Sequence, residues 1–187
     1  MFNKNNWNEP LSKQDVIAVV VNGLVAAILA GILGGAIEYL FDMLGFSISI
    51  NLLLIAFLVG LRVRRGYYTY HILYPVLAIV FLLVGLLISH YSYIIFYHLF
   101  VNKSSLGFMV IFTKGFWISF LLNPVSTLIL GISIKSPLNI VLGIIDFAIT
   151  AWSFYFVFLM AKGNNRWKCF PLLKSKRGDF FIYKTGV

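Results

Sequence analysis

The stretch DVIAVVVNGLVAAILAGILGGAIEYLF, residues 15–41, decides the fold. From Val16 to Ile37 it carries no charge. A helix over 15–37 covers ~34 Å at 1.5 Å per residue, enough to cross ~30 Å of hydrocarbon. Small residues recur in it every fourth position, at Gly23, Ala27, Gly31 and Gly35, with a parallel row at Ala26, Ala30 and Gly34. Positions four apart share a helix face. The two rows therefore predict a broad smooth face that admits another helix backbone at close range, the means by which helices associate in lipid. Glu38 and Asp42, again four apart, close the helix with an acidic rim.

The rest of the chain agrees with a bilayer as solvent. Of 187 residues 60% are apolar and 11% charged, against about a quarter charged in soluble domains. The fold class predicted is all-α, a polytopic integral membrane protein. The net charge of +9 does not indicate nucleic acid, because the basic residues flank apolar runs instead of forming a stripe on a polar domain. The single cysteine, Cys169, excludes an intramolecular disulfide and a multi-cysteine metal site. The first apolar run is too long for a signal-peptide core and lacks an A-x-A-like site after it, so it reads as an uncleaved span.

Residues 1–14 read as an Asn-rich cytoplasmic arm, with Ser12 and Asp15 in an S-x-x-D capping pattern. After 15–37, a second span is expected at 46–61. It ends in Gly60 and the cluster Arg62, Arg64 and Arg65, the clearest cytoplasmic mark in the chain. Tyr67, Tyr68, Tyr70 and Tyr74 form an interfacial belt, and Pro75 falls in the first turn of a third span at 72–89 whose helix is able to continue through His98. Residues 103–136 are apolar but interrupted by Lys103, Lys114 and Lys135, and Asn123-Pro124 is expected to break any helix there. They read as an outer re-entrant or interfacial hairpin. Ser136-Pro137 then supplies cap and first turn for a last span at 138–160. The membrane domain so defined covers 15–161, and a basic tail, 162–187, contains Lys162, Arg166 and Lys168.

Charge selects the topology. With four transmembrane helices and both termini inside, twelve of the fifteen basic residues are cytoplasmic; a fifth span would put the tail opposite the arginine loop, against the positive-inside rule. Arg62, Arg64, Arg65, Lys162, Arg166 and Lys168 are then the orientation and anionic-lipid contacts.

The order of parts resembles that of small bacterial membrane proteins of four predicted spans, known as uncharacterised families. The residues that carry it are AFLVGLRVRRG (56–66), FLLNP (120–124) and SPLNIVLGIIDFAITAW (136–152) after the Gly-striped first helix. The resemblance implies a four-span fold and a bacterial origin, and the expected location is then the bacterial cytoplasmic (inner) membrane. It carries no catalytic residues.

Few residues can hold chemistry. Asp146 lies inside the last span, where a carboxylate costs about 2.5–3.5 kcal/mol, and must be paired, protonated or turned to a cavity. Asn22, Asn51 and Lys114 are its candidate partners. Glu38, Asp42, His90 and His98 are able to gather at the outer face, His90 and His98 being about two turns apart. They lack the H-x-x-x-H or HExxH spacing of a zinc site, so no metal is assigned. No G-x-S-x-G, Walker A or GxGxxG is present, and no catalytic residue or cofactor is assigned. The expected function is a small accessory or assembly subunit acting through helix–helix contacts on the Gly/Ala face. Its partners are the lipid bilayer and either a homo-oligomer or another membrane protein. The alternatives are a subunit of an oligomeric channel or transporter with Asp146 as its intramembrane polar element, and an intramembrane enzyme.

Overall fold

A computed structural model describes residues 11–44, 50–67, 71–101 and 105–162. Among these the regular structure is helical throughout: α1 (Lys13–Met43), α2 (Asn51–Arg65), α3 (Leu73–Phe100), a 3-10 segment (Ser105–Phe112), α4 (Lys114–Ser133) and α5 (Pro137–Lys162). Three of the helices, α1, α3 and α5, are long and apolar enough to cross a membrane. The boundaries follow local chemistry. Ser12 caps α1 by accepting from the Asp15 amide at 3.5 Å. Ser136 accepts from the Asn139 amide at 3.5 Å, and Pro137 opens α5, as its fixed φ favours.

Two expected elements differ. The second helix starts at Asn51 and continues through the arginines to Arg65. Its 15 residues measure ~22 Å, and the early part of the expected 46–61 span lies outside the described residues. The helix runs through Gly60, which is packed against Met160, and basic residues in a last turn suit the helix dipole. The second difference is at Asn123-Pro124, where α4 runs on as one helix. A proline removes one backbone donor and frees the carbonyl four residues before it, a cost that a helix in apolar surroundings is able to absorb. The expected broken hairpin is therefore a 3-10 segment followed by a straight-through helix that turns at 134–136, with Lys135 at φ 52°, and packs back on α5. Gly143 of α5 faces the Leu128 backbone so closely that a Cβ there would lie 2.5 Å from it.

The small-residue face of α1 is covered by the same chain. Against it lies α3, with α2 filling in beside. A Cβ on Gly35 would stand 2.5 Å from the Ser89 carbonyl oxygen. One on Gly31 would be 2.7 Å from the Gly85 oxygen, and one on Gly34 2.8 Å from Ile55 Cδ1. Gly85 returns the fit, its Cβ position lying 3.4 Å from the Ala27 oxygen. Ala26, Ala27 and Ala30 are buried in the resulting core beside Ile55, Ala56, Val59, Ala78 and Leu82. Within the chain the smooth face is thus covered by α3 and α2 and not by α4, which packs on α5.

One end of the bundle gathers four helix termini. Gly66 abuts the Val19 backbone. The Tyr67 hydroxyl donates to the Ala161 carbonyl, and its ring stacks on Tyr74 at 4.4 Å with the Arg64 guanidinium 4.9 Å above it. The start of α1, the end of α2, the start of α3 and the end of α5 therefore meet beside the arginine cluster.

Candidate functional site

Toward the other end, the core turns polar. Glu38 is the last acid on the inward side of α1, and Asn51 is the first residue of α2. Asn51 Nδ2 donates to Glu38 Oε2 at 2.8 Å and approaches Ser89 Oγ of α3 at 3.4 Å. The Asn51 amide turns its nitrogen to Glu38. Its Oδ1 is then buried without a partner. Asn51 itself is 5% exposed.

These residues line a cavity of about 160 Å³, to which α3, α4 and α5 add His90, Asn123 and Thr150. Apolar walls come from Leu83, Leu86, Phe120 and Phe154. All five α-helices contribute. The volume accommodates a small solute with water, given that one water needs ~10–15 Å³ of such space. Asp146 lies one turn before Thr150, whose Oγ1 donates to the Asp146 carbonyl at 2.9 Å. Asp146 is 6% exposed, and its carboxylate is near enough to act on Glu38 electrostatically. Two acids from different helices thus share one interior region, where each is costly.

His90, which lines this chamber, also contacts a residue of a second space. Its Nε2 is 2.9 Å from Ser119 Oγ of α4, and its ring leans on Phe116 and Phe120 at 5.4 and 6.0 Å. Ser119 lines an open groove of about 410 Å³ between the end of α3 and the beginning of α4, together with Tyr93, Tyr97, His98, Thr113 and Phe116. His90 Nδ1, on the chamber residue, is buried without a partner.

Comparison with protein-family models, with curated proteins and with solved structures finds no match for this chain. The site is therefore read from its own geometry.

The expected residues fall into separate places. Asn51 is in the chamber, and Asp146 lies beside it. Asn22 is half-buried on α1, sixteen residues before Glu38 and so ~24 Å away along the helix. Lys114 is exposed at the start of α4. The expected outer cluster divides: Glu38 and His90 line the chamber, Asp42 accepts from the Tyr93 hydroxyl at 2.9 Å, and His98 lines the groove. Among the described residues no three His, Cys, Asp or Glu side chains group to hold a metal ion. Arg62 and Arg65 are exposed, Arg64 covers Tyr67, and Lys162 ends α5. Arg166, Lys168 and Cys169 lie outside the described residues.

Ser89, Ser119, Asn123 and Thr150 line these spaces without belonging to any catalytic or ligand-binding sequence motif. A signal existed for the first: Ala78, Gly85, Ser89 and Ser92 form a small-residue row on α3 that answers the row on α1 and is buried with it.

Proposed function

We propose that this is an integral membrane protein of four spans, formed by α1, α2, α3 and α5, with α4 as an additional outer helix, and that its work is done in the chamber. The reading is a bacterial inner-membrane protein that captures and passes a small polar or cationic solute. The observation that carries it is the meeting of Glu38, Asn51 and Ser89 around a cavity completed by α4 and α5. Ionisable residues at membrane depth mark solute and ion pathways. The close fit of α1 on α3 supports the same choice over the assembly reading, because the face expected to bind a partner is already occupied.

The proposed topology has both termini and Arg62–Arg65 in the cytoplasm. It is supported by the meeting of the α1 start, the α2 end and the α5 end beside those arginines, and by the positive-inside rule. Cys169, the only cysteine, offers a direct check. A membrane-impermeant maleimide is expected to label it in inside-out vesicles and to leave it unlabelled in right-side-out vesicles. The reverse pattern rejects the orientation.

Function is tested in liposomes. Purified protein is expected to carry small cations across the bilayer, and Asn51→Leu to lower the flux at least tenfold while the protein still elutes as a folded species. Flux equal to that of empty liposomes sinks the proposal.

The assembly reading keeps one specific support. The helix α4 and the first half of α5 present Leu121, Ile132, Leu138, Val141, Ile144 and Phe147 outward, each more than half exposed, which suits a subunit or a second copy as well as lipid.

A further inference from the structure

The hydrogen bonds around the chamber fix which of its atoms carry protons. Ser119 Oγ is 2.8 Å from the Phe116 carbonyl and donates to it. A hydroxyl has one proton, so toward His90 it accepts, and His90 Nε2 must carry the hydrogen. The opposite tautomer would bury an orphan N–H, the rarer and costlier defect. His90 Nδ1 is therefore a bare lone pair, buried and without a partner. The same reasoning leaves Asn51 Oδ1 as a second unpartnered acceptor. Glu38 adds a carboxylate, and Thr150 Oγ1, having given its proton to the Asp146 carbonyl, presents lone pairs only. Glu38, Asn51, His90 and Thr150 thus offer acceptors from four helices, and the donors that belong to Asn51, His90 and Thr150 are already engaged, while Asn123 adds an amide with both donors and an acceptor.

Buried acceptors without donors are satisfied by a ligand that brings hydrogens. A nitrogen lone pair together with amide, carboxylate and hydroxyl oxygens suits N–H donors better than a hard metal ion, which takes oxygen ligands. Phe120, beside His90, and Phe154 also line the cavity, and aromatic rings attract a cation. A positive charge also suits the carboxyl group of Glu38, which lines the cavity. Resting on the chamber reading above, we infer that the solute is a small N–H-bearing cation, ammonium or a short primary alkylammonium, bound between Glu38, Asn51 Oδ1 and His90 Nδ1. The groove beyond Ser119 is its approach, and His90 is the partition it passes.

The test uses full-length protein in nanodiscs with 15N-labelled histidine. The chain has three histidines, and His90→Gln identifies the signal of interest by removing it. Methylammonium, potassium and methanol are titrated at constant pH and ionic strength. Methylammonium is expected to shift the His90 Nδ1 resonance saturably, away from its free lone-pair position. Potassium, similar in size to ammonium, and neutral methanol are expected to leave it in place. His90→Gln keeps a side-chain N–H for Ser119 and replaces the ring Nδ1 lone pair with an amide oxygen displaced from the Nδ1 position. It is expected to stay folded and to weaken methylammonium binding, read by calorimetry, about tenfold or more, as loss of a hydrogen bond to a charged group predicts. No saturable shift, an equal shift with potassium, or unchanged binding by His90→Gln overturns the inference. Cation flux in liposomes together with a silent His90 signal would reject the ligand and leave the chamber reading intact. A methylammonium-induced shift without flux would support the ligand and reject transport.

Discussion

Gly35→Val is expected to unfold the bundle or to lower its stability by about 3 kcal/mol or more. A Cβ at this position would lie 2.5 Å from the Ser89 carbonyl oxygen and 2.8 Å from the Tyr93 amide nitrogen. Both are backbone atoms of α3, so no rotamer change relieves the overlap, and α1 and α3 must move apart. Overpacking in a fitted core costs typically 1–3 kcal/mol and more where backbone is displaced. Separation here would also loosen the Ala27–Gly85 contact and the packing of Ile55 beneath Gly34. Gly34→Ala is the graded comparison: its added Cβ meets the far end of the Ile55 side chain at 2.8 Å, which is able to turn away. Gly115→Ala meets nothing closer than 4.0 Å and should be neutral. Thermal unfolding in detergent, followed by helical circular dichroism, ranks the three. If Gly35→Val left the folded monomer intact and removed only an oligomer, the face would be a subunit contact and the packing of α1 on α3 would be wrong.

This comparison also shows what kind of information the sequence holds. The face itself was legible, because a row of small residues at a spacing of four declares close approach whatever the partner. The partner was not, since the answering row on α3 mixes Ala78, Gly85, Ser89 and Ser92 and its serines read as polar outliers in an apolar run. The caps at Ser12 and Ser136 were legible for a related reason: capping is settled within four residues. Pro124 misled, because a proline's local cost is readable while its surroundings, which decide whether a helix absorbs that cost, are not. The chamber was legible only in part. Asp146 and Asn51 stood out as polar residues in apolar runs. Their meeting with Glu38, expected instead at an outer rim with Asp42, depends on α2 starting at Asn51 and on α3 continuing past Ser89 as one helix. Those are tertiary facts, and no spacing rule contains them.

The Glu38–Asn51 pair is where stability and function should separate. Glu38→Leu removes the carboxylate and leaves Asn51 Nδ2 with only the 3.4 Å approach to Ser89 Oγ. Stranding a buried polar group costs ~1–3 kcal/mol, so this single replacement is expected to destabilise by that amount. Asn51→Leu alone takes the amide donor from Glu38 and leaves Ser89 as its remaining side-chain hydrogen-bond partner, so it should cost a similar ~1–3 kcal/mol. The double replacement removes both ends of the bond and puts apolar volume in a wall that already holds Leu52, Leu83 and Leu86. Such exchanges are often neutral or stabilising. The double variant is therefore expected near wild-type stability or above it, with a coupling of about 1–3 kcal/mol in the resulting mutant cycle, the size found for contacting residues. All three variants should lose solute flux. Recovery of the fold without recovery of flux would mean that the pair is kept for what the chamber does and not for holding the helices together. Two single losses that simply add in the double variant would show instead that Glu38 and Asn51 act independently, and the hydrogen-bonded chamber would lose its central contact.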